Sequence, residues 1–365
     1  MTNRKLTSWA MALLVVLLWV FWPGEGDPEE KDQREEGERS RTVSSRGSAR
    51  KMIVWERKQE EVGFYEKHGV PIISPEQVEQ YLEDEDYSAE AFVAAYFVSR
   101  EALFLREGLE RHPESGFLLF TLLSNYVDDS ARSSEELLNW CQRFLKVEPD
   151  NFFAHVLIAD QLMFEGSTDE AMGHLVEAFL FTTLQDYNSE KQAAIRQMYE
   201  SLGSTPEQAS VAILGPKLRF ASRVNFRVVS VGKKLQRKFH EMDPKDADNA
   251  RLAVHSLGEA LLNFDQPRTL MSEVFGLRLK KYVWNDLPDE APSFEEGMTV
   301  GQAEQARESR LDEIGRMAES EFDVNAASTE VLHEYLNRVW QDGEMSAIQW
   351  LHDQVPLKKN PGDRE

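Results

Sequence analysis

Eight histidines stand where acid–base or metal chemistry would find its groups: His68, His112, His155, His174, His240, His255, His333 and His352. None forms an HExxH pair, and the single cysteine, Cys141, has no second Cys or His at zinc spacing. His255 and Glu259 share a helix face, and His155 and Asp160 do so more loosely, but such pairs are far commoner as surface contacts than as active sites. GxSxG, Walker A and strand–helix GxGxxG patterns are all missing. The acids Glu83, Asp84, Glu85 and Asp86 fall in loop-like sequence and read as solvated caps. No catalytic residue, metal ligand or cofactor is therefore assigned. The chemistry left open is that of helical glycan-cleaving enzymes, whose two carboxylates are distant in sequence.

Whatever positions such groups is built without covalent staples. One cysteine excludes an intramolecular disulfide. Cys141 lies on an apolar helical face beside Trp140 and Phe144 and reads as a small buried filler. The 365 residues include 20 Phe and 41% hydrophobic residues, enough for a packed core in two domains or one elongated array. A formal net charge of −23 argues against nucleic acid as a partner.

Residues 9–22, WAMALLVVLLWVFW, are fourteen apolar residues without a charge, preceded by Arg4 and Lys5. With Leu6, Thr7 and Ser8 the run reaches the lower limit for a membrane span, and Trp9, Trp19 and Trp22 sit where interfacial anchors belong. Gly24-Glu25-Gly26 is a poor cleavage site, which favours an uncleaved anchor over a secreted product of signal cleavage. Basic residues before the span and acids after it place the N-terminus in the cytoplasm and the body outside. Residues 23–50 hold one aliphatic residue, Val43, and mixed charge, so this stretch reads as a disordered linker.

From residue 52 the apolar spacing is helical. Counted from Phe152, Ala159 is at position 8, Leu162 at 11, Gly166 at 15, Ala171 at 20, Leu175 at 24 and Ala178 at 27. Pro113 and Pro149, thirty-six residues apart, end the preceding helices, and Tyr199, Gly203 and Ala209 fall near the same spacing. Over about residues 85–215 the chain resembles the tetratricopeptide repeat (TPR), a 34-residue helix–turn–helix unit whose small residues let two helices cross closely. The resemblance implies an all-α fold of stacked hairpins and a role as an interaction platform. It also implies that positions 2, 5, 9 and 12 of each first helix point into a concave groove. In the best unit these are Phe153, Val156, Asp160 and Met163; in the unit begun at Gly116 they are Phe117, Phe120, Ser124 and Val127. A mostly apolar set of this kind fits an apolar or amphipathic segment of a protein partner.

The segment between Glu207 and Glu241 carries no acid and eight cations: Lys217, Arg219, Arg223, Arg227, Lys233, Lys234, Arg237 and Lys238. Phe220, Val224, Val228, Val231, Leu235 and Phe239 make one helical stripe through it, although VNFRVVSV alone would pass for a strand. Either the stripe packs into the core with its cations paired to acidic neighbours, or the segment serves an anionic partner.

The chain thus divides into an anchor or signal segment (1–22), a linker (23–50), a TPR-like body (51–284), an acidic loop (285–299), and C-terminal helices and tail (300–365). The helices of this last part are expected at about 300–320, 327–341 and 344–353. The expected function is that of a membrane-anchored, extracytoplasmic, non-catalytic assembly scaffold. The alternative is an all-helical cell-envelope enzyme with paired carboxylates.

Overall fold

The computed structural model describes residues 59–126, 134–180, 185–214, 221–263, 269–319 and 327–355. The apolar segment 9–22 and the linker 23–50 lie outside the described residues, as do Val127, Lys217 and Arg219. Among the described residues the protein is all-α, with sixteen helices and an isolated bridge between Pro292 and Thr299. No helix of the described residues is long and apolar enough to cross a membrane.

Two short helices, α1 (Gln59–Lys67) and α2 (Pro75–Asp84), lead into three hairpins. These pair α3 (Ala89–Ser99) with α4 (Ala102–Arg111), α5 (Gly116–Tyr126) with α6 (Ser134–Val147), and α7 (Phe153–Glu165) with α8 (Thr168–Leu180). The boundaries follow local chemistry. The helices stop at Arg111 and Val147, two residues before Pro113 and Pro149, because proline cannot continue the backbone ladder. Between α7 and α8, Gly166 takes φ +87°, and the Ser167 amide donates back to the Leu162 carbonyl at 2.9 Å. That left-handed cap is open to glycine at no steric cost. Successive hairpins stack, with α5 packing on both α3 and α4, and α7 on α6.

The fourth hairpin, α9 (Asn188–Ser201) with α10 (Pro206–Leu214), does not continue the stack. It folds back onto α3 instead of onto α8. Next comes α11 (Ala221–Lys238), which runs across α7 and touches α5. The first helix of each stacked hairpin is thereby sandwiched. In α3, all of residues 91–99 are buried, as are Phe153 to Asp160 in α7. Apart from His155 and Asp160 those stretches are almost wholly apolar, which a helix adopts only where it is covered on every side.

The basic segment is a helix despite its β-branched run, because Val228, Val231 and Leu235 are buried on one stripe. It packs on α12 (Pro244–Leu262) and α13 (Leu270–Trp284), a tight pair that also rests on α8. Three helices finish the body: α14 (Val300–Glu319) on α13, α15 (Thr329–Asp342) on α10, and α16 (Glu344–Gln354) on α15. They fall where the C-terminal periodicity places them.

Two glycines set the α12/α13 crossing. A Cβ on Gly276 would lie 2.6 Å from Leu262 Cγ and 2.9 Å from the Gly258 carbonyl oxygen. Gly276→Ala is expected to destabilise the body by about 2–3 kcal/mol, the cost of forcing volume into packed backbone. Gly173→Ala is the contrast, since nothing stands within 4 Å of that Cβ position on α8. It should gain about 0.5–1 kcal/mol from reduced unfolded-chain entropy. Urea midpoints of the two variants would therefore move in opposite directions.

Candidate functional site

The residues expected to line an open groove are present as one surface, but that surface is covered. Phe117, Phe120, Ser124, Phe153, Val156, Asp160 and Met163 are all buried by the chain's own residues, none more than 9% exposed. The aromatic anchors find their partners internally. Phe120 meets Phe153 at 5.1 Å between centroids and Tyr187 at 5.5 Å, while Tyr187 stacks on Phe117 at 5.3 Å. Tyr187 belongs to the segment that turns back after α8, and its hydroxyl donates to Glu148. The open groove is corrected to an occupied one: apolar surface of this size is held by whatever helix reaches it first, and the returning chain is tethered beside it.

The second occupant is the basic helix. Arg227 Nη1 donates to Asp160 Oδ2 at 3.0 Å, and Lys234 Nζ donates to Asp160 Oδ1 at 2.7 Å. One carboxylate thus takes one cation on each oxygen, and its side chain is only 9% exposed against 31% for each cation. Lys238 donates to the Thr168 hydroxyl. Arg237 is exposed and Lys233 half-buried, while Arg223 lies on α11 with its side chain outside the described residues. Of the two readings of this segment, the buried stripe and the Asp160 pairs fit the core-packing one.

The paired His155 and Asp160 of the sequence are separated in space by what each faces. Asp160 turns to α11, and His155 turns to α8, where its Nδ1 lies 3.2 Å from His174 Nδ1 and 3.4 Å from Glu177 Oε2. Nothing in the sequence alone joins His174 and Glu177 to His155. Their spacing, His-x-x-Glu on one face of α8, was legible, but linking it to His155 required the hairpin crossing. Burial lowers the His155 pKa from its ordinary 6.5, with Glu177 opposing and His174 reinforcing the shift. A depressed imidazole gives stability that is complete above 6.5 and is lost as pH falls below it. His68 is lowered by burial as well, and then by Lys67, so both act in the same direction. Melting temperature should therefore drop between pH 7.5 and 5.5. His155→Gln should flatten that dependence; an unchanged slope would dismiss His155 as its source.

His255 and Glu259 do stay close, within 4.8 Å, but as members of an ion-pair cluster with Glu295 and Lys280. Lys280 sits between Glu259 and Glu295, donating to Glu295 Oε1 at 2.6 Å and pairing with Glu259 as well. His255 Nε2 lies 3.3 Å from the same Glu295 oxygen. Burial would raise the Glu295 pKa, but Lys280 and His255 outweigh it and hold the carboxyl below its ordinary range. The acidic loop thus supplies the second acid of an ionic knot that ties it to α12 and α13. An ammonium fills the space between these carboxylates, so a glycosidic oxygen has no room there.

Two nucleophile candidates are equally committed. Burial pushes the Cys141 thiol far above its ordinary range and leaves it inert. Burial lowers Lys191 to about 8, against the pull of Asp186. It borders a recess of about 20 Å³ lined with Phe97, Ile195, Tyr199 and Ala212, room for a single water rather than a substrate. No protein-family model, no curated protein and no solved structure matches this chain.

Proposed function

We propose that this chain is a non-catalytic assembly scaffold, related in plan to tetratricopeptide-repeat arrays, which residues 9–22 hold at a membrane with the body outside the cytoplasm. The observation that carries the scaffold reading is the sealed inner face of the hairpin stack. With the groove filled by Tyr187 and α11, the surface left to a partner is the outer one, built by α4, α6 and α8. Large apolar side chains stand exposed along the hairpins: Leu103 on α4, Phe164 at the end of α7 and Val176 on α8. Phe164 is 79% exposed, an unfavourable place for a phenylalanine unless another protein covers it. The partner is a protein with an apolar docking surface, and neither nucleic acid nor a small-molecule cofactor enters the reading.

A photo-crosslinking amino acid at position 103, 164 or 176 of the full chain, in its own membranes, tests this. The scaffold reading expects one discrete adduct from these positions and none from Leu252, which is exposed on α12. Equal labelling at all four positions, or at none, would sink it. The membrane component has its own readout. A periplasm-active reporter fused after Gly47 should be active, whereas activity of a cytoplasmic reporter there reverses the orientation.

A further inference from the structure

We propose that His155, His174 and Glu177 form a site for a divalent transition-metal ion of the zinc class, on the open side of the α7/α8 hairpin. Three donor atoms converge there: His155 Nδ1, His174 Nδ1 and Glu177 Oε2, all within 4.8 Å of one another. Their separations are 3.2 Å between the two nitrogens, 3.4 Å from His155 to Glu177 and 3.9 Å from His174 to Glu177. A tetrahedral ion bound at about 2.0–2.2 Å needs donor atoms about 3.3–3.6 Å apart. Two edges of the triangle are within about 0.1 Å of that range. The third closes by about 0.3 Å through a small rotation of the Glu177 side chain, which is 58% exposed and has room to move.

The helices hold this triangle in place. His174 and Glu177 are one turn apart on α8 and share a face. His155 projects from the buried side of α7, and the left-handed Gly166 turn keeps α7 against α8. A direct hydrogen bond between the imidazoles uses one proton and satisfies two nitrogens. An ion would engage both nitrogens and the carboxylate together. The desolvation that depresses the His155 pKa favours the neutral ring that ligates. His174, with a side chain 32% exposed, and Glu177 face solvent, so water or a partner's donor can take the fourth position.

The donor set defines the class of ion. Two imidazoles and one carboxylate suit zinc and its neighbours cobalt, nickel and copper, not calcium or magnesium, which take oxygen. The other triad of comparable composition, His255, Glu259 and Glu295, differs in the decisive respect: Lys280 already supplies its positive charge. Bound at the first site, the ion would clamp the hairpin that presents Phe164 and Val176.

The test uses full-length protein purified in detergent without a histidine tag and stripped with chelator. Calorimetric titration with Zn²⁺ should show one site per chain, and Co²⁺ should give the visible spectrum of a tetrahedral nitrogen–oxygen site. His174→Ala and Glu177→Gln, both on the exposed side, should each weaken Zn²⁺ binding at least about tenfold with the fold intact by circular dichroism. Glu295→Gln should leave binding unchanged. Absence of stoichiometric binding in the wild type overturns the site, and so does full affinity in His174→Ala. Crosslinking through the outer face would be unaffected by either result, so the scaffold reading stands or falls separately.

Discussion

Phe153→Ala is expected to destabilise the body by about 4 kcal/mol, the effect of deleting a fully enclosed phenylalanine. Phe153 has no exposed surface, packs on Phe120 at 5.1 Å, and sits where α6 and α11 both meet α7. The loss combines the transfer energy of the ring with a cavity that four surrounding helices cannot close. Phe120→Ala should cost about 3–4 kcal/mol for the same reason. Because the rings touch, the double variant should lose less than the sum. An open groove predicts something else: exposed anchors would leave stability within about 0.5 kcal/mol and affect only partner capture. Chemical denaturation of the two single variants and the double one decides between these outcomes.

Asp160→Ala is expected to cost about 3 kcal/mol, nearly as much as the loss of a core aromatic. The carboxylate is desolvated and holds Arg227 and Lys234 together, so its removal leaves two like charges facing each other over a buried surface. Deleting one cation is milder. Arg227→Gln should cost about 1 kcal/mol, since Lys234 remains on Asp160 and the vacated edge of the site is reached by water. A double-mutant cycle between Asp160 and Arg227 should give a coupling of about 1–2 kcal/mol that weakens only modestly with salt, as the pair is partly shielded from solvent. If Asp160→Ala leaves stability unchanged but tightens the binding of an anionic ligand to α11, whose Arg227 and Lys234 it sets free, the basic helix belongs to a partner and not to the hairpin stack.

Both predictions concern surfaces whose composition is plain in the sequence and whose fate is not. The apolar faces of α5 and α7, the prolines that end α4 and α6, the glycine between α7 and α8, and the three C-terminal helices were all legible. Each depends on interactions within about one helical turn: missing amides at proline, the positive φ of Gly166, and the 3.6-residue period of the apolar stripe. The helical state of residues 221–238 was only half legible, because local β propensity competed with the stripe. Burial against α7 and α13 decided it.

What tertiary structure alone decided is the pairing of faces. The resemblance to the repeat implies that Phe117, Phe120 and Phe153 share one apolar surface, but covering it with a partner or with Tyr187 satisfies the same pattern. The packing of α9 on α3, with Tyr187 against Phe117 and Phe120, makes that choice, and with it converts an expected groove into a core. Asp160 meets Arg227 across 67 residues, His155 meets His174 across a hairpin, and Lys280 gathers Glu259 and Glu295 from a helix and a loop. Charge and hydrogen-bond complementarity carry no address in the chain. A histidine's sequence neighbours set its helix face, and only the packing of that helix sets whether it meets a carboxylate, a second imidazole or solvent.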